Sequence, residues 1–191
     1  RMTFKVAESN GSSSGLTAGL VIEGSDNTTD GEVNVTIAAG AASTTTIAGN
    51  IAVTSGNVFS VTGDTDGTYQ GDVVYFGGTT SMDVGQLYHY KSDGTWEKAD
   101  ANAAATCDGL LAIALGAASD TNGMLLRGMV TLDHDAGALG DVLFVKTVAG
   151  AMSSTPPSGN NDIVRVVGYC LHASNGQIWF NPDNTFVEVT A

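Results

Sequence analysis

The feature that most constrains this chain is a turn that returns on a fixed beat. Gly49-Asn50-Ile51-Ala52-Val53-Thr54-Ser55 is followed by Gly56-Asn57-Val58-Phe59-Ser60-Val61-Thr62 and then by Gly63-Asp64, so a Gly-Asn or Gly-Asp pair recurs every seven residues. In a helix this period would mean a coiled coil. Here no large aliphatics pair at the a and d positions, and glycine and β-branched residues oppose helix. The repeat therefore reads as a short strand and a tight turn, repeated. Such strands bury too little to stand alone. They gain stability by stacking on, or intertwining with, copies of themselves. Three chains wound together would bury Ile51, Val53, Val58 and Val61 along a common axis, so an oligomer is the expected assembly, with a plain meander as the alternative.

The rest of the chain agrees with strand. Glycine supplies 25 of 191 residues and Lys plus Arg only 7, so the usual surface helix formers are scarce. Val33-Asn34-Val35-Thr36-Ile37 alternates apolar and polar as a half-buried strand does. The one Ala-rich piece, Asp100 to Thr106, is long enough for one or two helical turns or a loop. Near Asp64-Thr65-Asp66-Gly67 aromatics and larger aliphatics begin, which places an expected boundary between an extended segment, 1–66, and a compact domain, 67–191.

That second region reads as two related halves. Gly71-Asp72-Val73-Val74-Tyr75-Phe76 parallels Gly140-Asp141-Val142-Leu143-Phe144-Val145, each a Gly-Asp turn entering a buried strand. Tyr90 to Trp96 and Phe180 to Phe186 each read as strand, tight turn and strand, since Asp-Gly and Asp-Asn accept the positive φ of hairpin turns. Leu110 to Leu115 parallels Ile163 to Gly168, and Asn122-Gly123 and Asn175-Gly176 supply matching turns. Short strands with turns at this density indicate a barrel or sandwich. The expected fold is all-β: an N-terminal stalk, then a compact, internally duplicated barrel or sandwich.

Charge narrows the function classes. The formal net charge is −13, with none of the clustered Lys and Arg that neutralise phosphates, so nucleic acid and anionic membrane surfaces are not expected partners. No apolar run reaches the roughly 18 residues of a helical membrane span. The start, Arg1-Met2-Thr3-Phe4-Lys5, lacks the apolar segment of a signal peptide. Cys107 and Cys170 are too few for a disulfide framework and read as small buried hydrophobes.

Two stretches resemble bacteriophage virion proteins. Gly49 to Asp64 is similar to the stalk repeats of phage tail fibres, those of marine and cyanobacterial phages among them, departing at Ser55-Gly56. Gly140 to Val145, Ile163 to Tyr169 and Ile178 to Glu188 together resemble the C-terminal ends of phage fibre and structural proteins. The resemblance implies a homotrimeric, non-enzymatic component of an extracellular particle, touching itself, other virion proteins and a host-surface glycan. A capsid decoration protein is the alternative, and a tailspike enzyme that degrades polysaccharide the third reading.

The candidate sites are few. Asp133-His134-Asp135 puts an imidazole between two carboxylates, as a metal site or general base would, but reads better as a turn after Leu132. His89 and His172 stand isolated. Ser25 to Glu32 is oxygen-rich but lacks the alternate carboxylates of a calcium loop. Asn27 and Asn34 head glycosylation-acceptor triplets that only a eukaryotic secretory host would use. A glycosidase needs two carboxylates at a set separation; Glu97 and Glu188, beside Trp96 and Phe186, are the pair in an aromatic setting, and their matching hairpins argue for structure. Tyr88, Tyr90, Trp96 and Trp179 are candidate glycan contacts, with the domain core as the competing reading. No catalytic residue, cofactor or metal is expected.

Overall fold

The computed structural model describes residues 64–190, and the backbone of three strands before them: β1 (Met2–Ala7), β2 (Leu16–Gly24) and β3 (Val33–Ile37). The chain divides into two units, Arg1–Gly56 and Asn57–Ala191. In the first unit β1, β2 and β3 form a three-stranded antiparallel sheet in that order. The alternating run Val33 to Ile37 is its third strand, with Ile22 opposite Val35. The repeat from Gly49 to Gly63 and the oxygen-rich loop from Ser25 lie outside the described residues.

The second unit is a curled antiparallel half-barrel. Its strands are β4 (Tyr69–Val74), β5 (Leu87–Tyr90), β6 (Trp96–Lys98), β7 (Leu111–Ala114), β8 (Met124–Thr131), β9 (Val142–Val145), β10 (Met152–Ser153), β11 (Ile163–Val164), β12 (Val166–Cys170), β13 (Gln177–Phe180) and β14 (Val187–Glu188). Among the described residues, helix is confined to one turn, Ser119–Asn122, and a 3₁₀ turn, Ala104–Thr106, inside the Ala-rich piece. The main sheet runs β10-β9-β12-β13-β8-β7-β5-β6, with β4 also on β8, and β11 pairs with β14 apart from it. β4 follows β8 from Val130 to Met124. A strand has two edges, so β13, opposite residues 128–131, and β7, opposite 124–125, share the other edge end to end.

One extra residue on β8 sets the two faces. Asp72 pairs with Arg127 but Val73 with Leu125, so Leu126 is bulged out of the ladder. Side chains alternate along a strand, and a one-residue bulge inverts that alternation. Leu125 and Val130, of opposite parity, therefore both enter the inner core, with Leu87, Leu111, Ile113, Leu143, Val145, Ile163, Val167, Ile178 and Phe180. Outside, Met124 and Leu126 pack with Met82, Tyr88, Trp96, Ala112 and Ala114 in a second buried layer. β7 is covered on both faces, which explains its unbroken apolar run, Leu-Ala-Ile-Ala.

Several local expectations meet their structural answer here. The segment from Tyr90 to Trp96 is a hairpin: β5 pairs with β6, and Lys91 N–H donates to the Thr95 carbonyl at 2.9 Å. Gly140-Asp141 is a turn, with Asp141 N–H on the Ala138 carbonyl at 3.0 Å. Gly71-Asp72 is not; it lies within β4, where Gly71 faces Gly128. The segment from Phe180 to Phe186 is not a hairpin either. Asn181 and Asp183 N–H donate to the carbonyls of Val167 and Val166, both at 2.9 Å, and the chain goes on to pair β14 with β11. Pro182 between them lacks an N–H, and Arg165 holds the Asp183 carbonyl at 2.7 Å, so the segment is fastened to β12 instead of folding back on β13. The two halves thus differ in pairing: β4 lies on β8 alone, whereas β9 sits between β10 and β12.

Candidate functional site

The sequence-predicted polar cluster is spent on structure. Met152 N–H donates to His134 Nε2 at 3.0 Å, which leaves Nδ1 to donate to Asp133 Oδ1 at 2.6 Å. Gln86 Nε2 donates to the other Asp133 oxygen, and Asp135 turns away to accept from Gly176 N–H at 3.1 Å. The three side chains tie the segment after Leu132 to β10 and to the turn before β13. A cleft of about 210 Å³ gathers Asp64, Asp66, Asp133 and Asp135 beside them. Among the described residues, no three His, Cys, Asp or Glu side chains come together in a metal-binding arrangement.

Glu97 and Glu188 do not occupy equivalent places. Glu97 lies opposite His89 in the β5–β6 hairpin, whereas Glu188 lies opposite Ile163. His172 accepts from Ser174 N–H at 3.4 Å. His89 is 2% exposed, with Glu97 Oε2 3.7 Å from its Nε2 and neither ring nitrogen hydrogen-bonded. Burial pushes its pKa below the ordinary 6.5, against the opposing pull of Glu97 and Asp108. A depressed histidine pKa means that the unfolded chain takes up the proton first. The stability contributed by neutral His89 is thus present above the unfolded pKa and lost as pH falls through the folded one. Urea midpoints should therefore drop between about pH 7 and about pH 5, and His89→Gln should flatten that drop. Parallel profiles for the two proteins would remove His89 as its cause.

Cys107 and Cys170 are buried and unpaired, and burial raises the Cys107 thiol to about 11. Both are inert packing groups, as expected for this composition.

The four aromatic candidates part company. Tyr88 and Trp96 are buried and offer no face to a ligand. Tyr90 is half-buried, its ring 4.9 Å from both Phe76 and Trp96, while the Trp96 indole N–H donates to the Phe76 carbonyl at 2.9 Å. These rings cap the outer layer over β5, β6 and β7. Trp179 is half-buried on the outer face of β13, in the middle of the sheet.

There the outer face carries a cross-strand row. Val142 pairs with Tyr169, Tyr169 with Trp179, Trp179 with Met129, and Met129 with Gln70. Their neighbours Leu143, Cys170, Ile178 and Val130 point inward. No residue of the row is charged, in a chain with 20 acidic side chains. Tyr169 is 47% exposed. Against it opens a cleft of about 340 Å³, lined by Val166, Tyr169, Asn181, Pro182, Asp183 and Asn184.

Arg165 holds the rim of that cleft from behind. It is 2% exposed and donates only to backbone carbonyls: Nε to Asp183 at 2.7 Å, Nη2 to Gly109 at 2.9 Å, and Nη1 to Cys107. Burial lowers its pKa, with Cys107, Asp108 and Asp183 opposing. Asp183 Oδ1 in turn accepts from the Thr185 N–H and hydroxyl, both at 2.9 Å. Asp93 and Thr95 form the same turn in the β5–β6 hairpin, at 3.0 and 2.7 Å. The sequence reading missed Tyr169, Asn181, Asn184 and Arg165. Only the alternation in Tyr169-Cys170 and Ile178-Trp179-Phe180 pointed there, and alternation does not say which face is covered.

No family model, no curated protein and no solved structure matches this chain.

Proposed function

We propose that this chain is a structural component of a bacteriophage virion, a homotrimeric tail- or head-fibre segment whose C-terminal β domain presents a host-attachment surface. The observation that carries the reading is the uncharged row Val142–Tyr169–Trp179–Met129 on the outer face of a strongly acidic protein. Like charges on a −13 chain oppose close approach of copies or partners, and an uncharged stripe is where contact costs least. Antiparallel sheets in both units and polar side chains committed to turns and staples support a building block. The resemblance of the Gly49 to Asp64 repeat and of the C-terminal strands to phage fibres supplies the virion context.

Light scattering on the purified chain tests the assembly. A mass three times the 19.4 kDa of the chain is expected, with elongated particles in negative stain. A stable monomer at micromolar concentration would sink the fibre reading.

A further inference from the structure

We propose that the cleft beside Tyr169 is a binding site for uncharged sugars, with the Tyr169 ring as its floor and Asn181, Asp183 and Asn184 as its rim. The proposal rests on the attachment reading above and names the chemistry of its ligand.

The floor comes first. Tyr169, 47% exposed, stands outward between the inward-facing Gly168 and Cys170, with Trp179 directly across the ladder on the same face. The C–H faces of a pyranose ring are its apolar side, and an exposed aromatic ring is the side chain that best covers them. The rim supplies what the sugar's edge needs. A hydroxyl both donates and accepts, and Asn181 and Asn184 each bring two N–H donors and a carbonyl acceptor. Asp183 holds Thr185 through Oδ1 and is itself exposed, so its carboxylate brings acceptor oxygens to the rim. Aromatic floor, amides and one carboxylate together match a polyol better than a peptide or an anion.

The rim is also held in place. Asn181 and Asp183 N–H are fastened to β12 at 2.9 Å each, and Arg165 fixes the Asp183 carbonyl at 2.7 Å. Fixed polar groups avoid an ordering cost when ligand binds. The volume, about 340 Å³, lies at the small end of the ~300–1,000 Å³ range of ligand pockets. Charge selects within the sugars: a carboxylate in the rim and a net charge of −13 repel sialic and uronic acids.

Saturation-transfer NMR on the intact chain is the test, with methyl glycosides and short oligosaccharides of glucose, galactose, mannose and N-acetylglucosamine, and with sialic and glucuronic acids. At least one neutral sugar should receive saturation and the acids should not. Tyr169→Ala should weaken binding about tenfold or more, and Tyr169→Phe, which keeps the ring, should not. Asn184→Ala, at an exposed rim position, should weaken binding with the urea midpoint unchanged, and it serves as the second variant should Tyr169→Ala fold poorly. Binding by no neutral sugar overturns the proposal, as does unchanged affinity in both alanine variants. Acids that bind as well as neutral sugars overturn the charge selection. The outcome is separable from the assembly: a monomer that binds sugar sinks the fibre and keeps the site, and a trimer that binds none does the reverse.

Discussion

Arg165→Met should cost about 3–5 kcal/mol, enough to unfold much of the protein at room temperature. Methionine fills a similar volume, so the loss is chiefly polar. Three carbonyls lose their donors at once, that of Cys107 in the interior and those of Gly109 and Asp183 at partly buried sites. Each buried acceptor left without a partner costs about 1–3 kcal/mol, partly relieved where the loop can let water in. Those carbonyls belong to two segments far apart in sequence, one before β7 and one after β13, and the guanidinium is what joins them. Arg165→Lys should recover only part of the loss, because an ammonium cannot span three acceptors in a plane. Arg127→Met provides the comparison. Its side chain is 56% exposed with Asp72 3.9 Å away, so the change should stay within about 0.5 kcal/mol. Urea unfolding followed by tryptophan fluorescence decides between them; an Arg165→Met protein as stable as Arg127→Met would show that the buried guanidinium is dispensable.

Gly128→Ala should be as damaging, through backbone alone. Where β4 crosses β8 the two chains touch at Gly71 and Gly128. A methyl group on Gly128 would sit 2.2 Å from the Gln70 carbonyl oxygen and 2.6 Å from Gly71 Cα. One on Gly71 would sit 2.1 Å from the Arg127 carbonyl oxygen. Neither obstacle is the tip of a flexible side chain, so relief requires β4 to lift from β8 and expose Val73 and Leu125. A fall in Tm of about 10 °C or more is expected by scanning fluorimetry for either substitution. Gly140→Ala is the control: its φ is +85° but nothing lies within 4 Å of the added carbon, so only the left-handed backbone cost of about 1–2 kcal/mol applies. Equal losses at the two positions would mean that backbone conformation, and not the crossing, explains both.

These two positions also show where sequence reasoning ran out. Gly71-Asp72 reads as a turn because glycine followed by aspartate is what turns use; nothing local reveals that another glycine, 57 positions on by the numbering, needs the same space. Arg165 stands in Ile-Val-Arg-Val-Val-Gly, a run whose local pattern says nothing of burial at that position. It is buried because β11 and β12 separate at this residue and turn it into the interior. What alternation and turn chemistry could decide, they decided: the strand character of the C-terminal unit, the β5–β6 hairpin around Asp93-Gly94, the buried thiols and the turn after Leu132. The second expected hairpin had the right local chemistry, since Asp183 and Thr185 repeat the Asp93–Thr95 turn, and failed on a partner supplied from elsewhere in the chain. The cleft was not legible: Trp179, which the sequence marks, stands across the ladder from Tyr169 and does not line it, and the exposure of Tyr169 depends on what covers the outer face at one end and leaves it bare at the other.

The bulge at Leu126 has a consequence for anyone editing β8. A plain ladder behaves like a two-stroke cycle, with every other position interchangeable in phase. Here the phase slips once, so Met124 and Leu126 belong to the covered end of the outer face while Arg127 and Met129 belong to its open end. Deleting a single residue within β8 would not shorten the strand so much as re-time it, sending inward groups outward on one side of the cut. A two-residue deletion keeps the timing on either side. Cut-and-paste between this domain and another must therefore count β8 from its bulge, not from its ends.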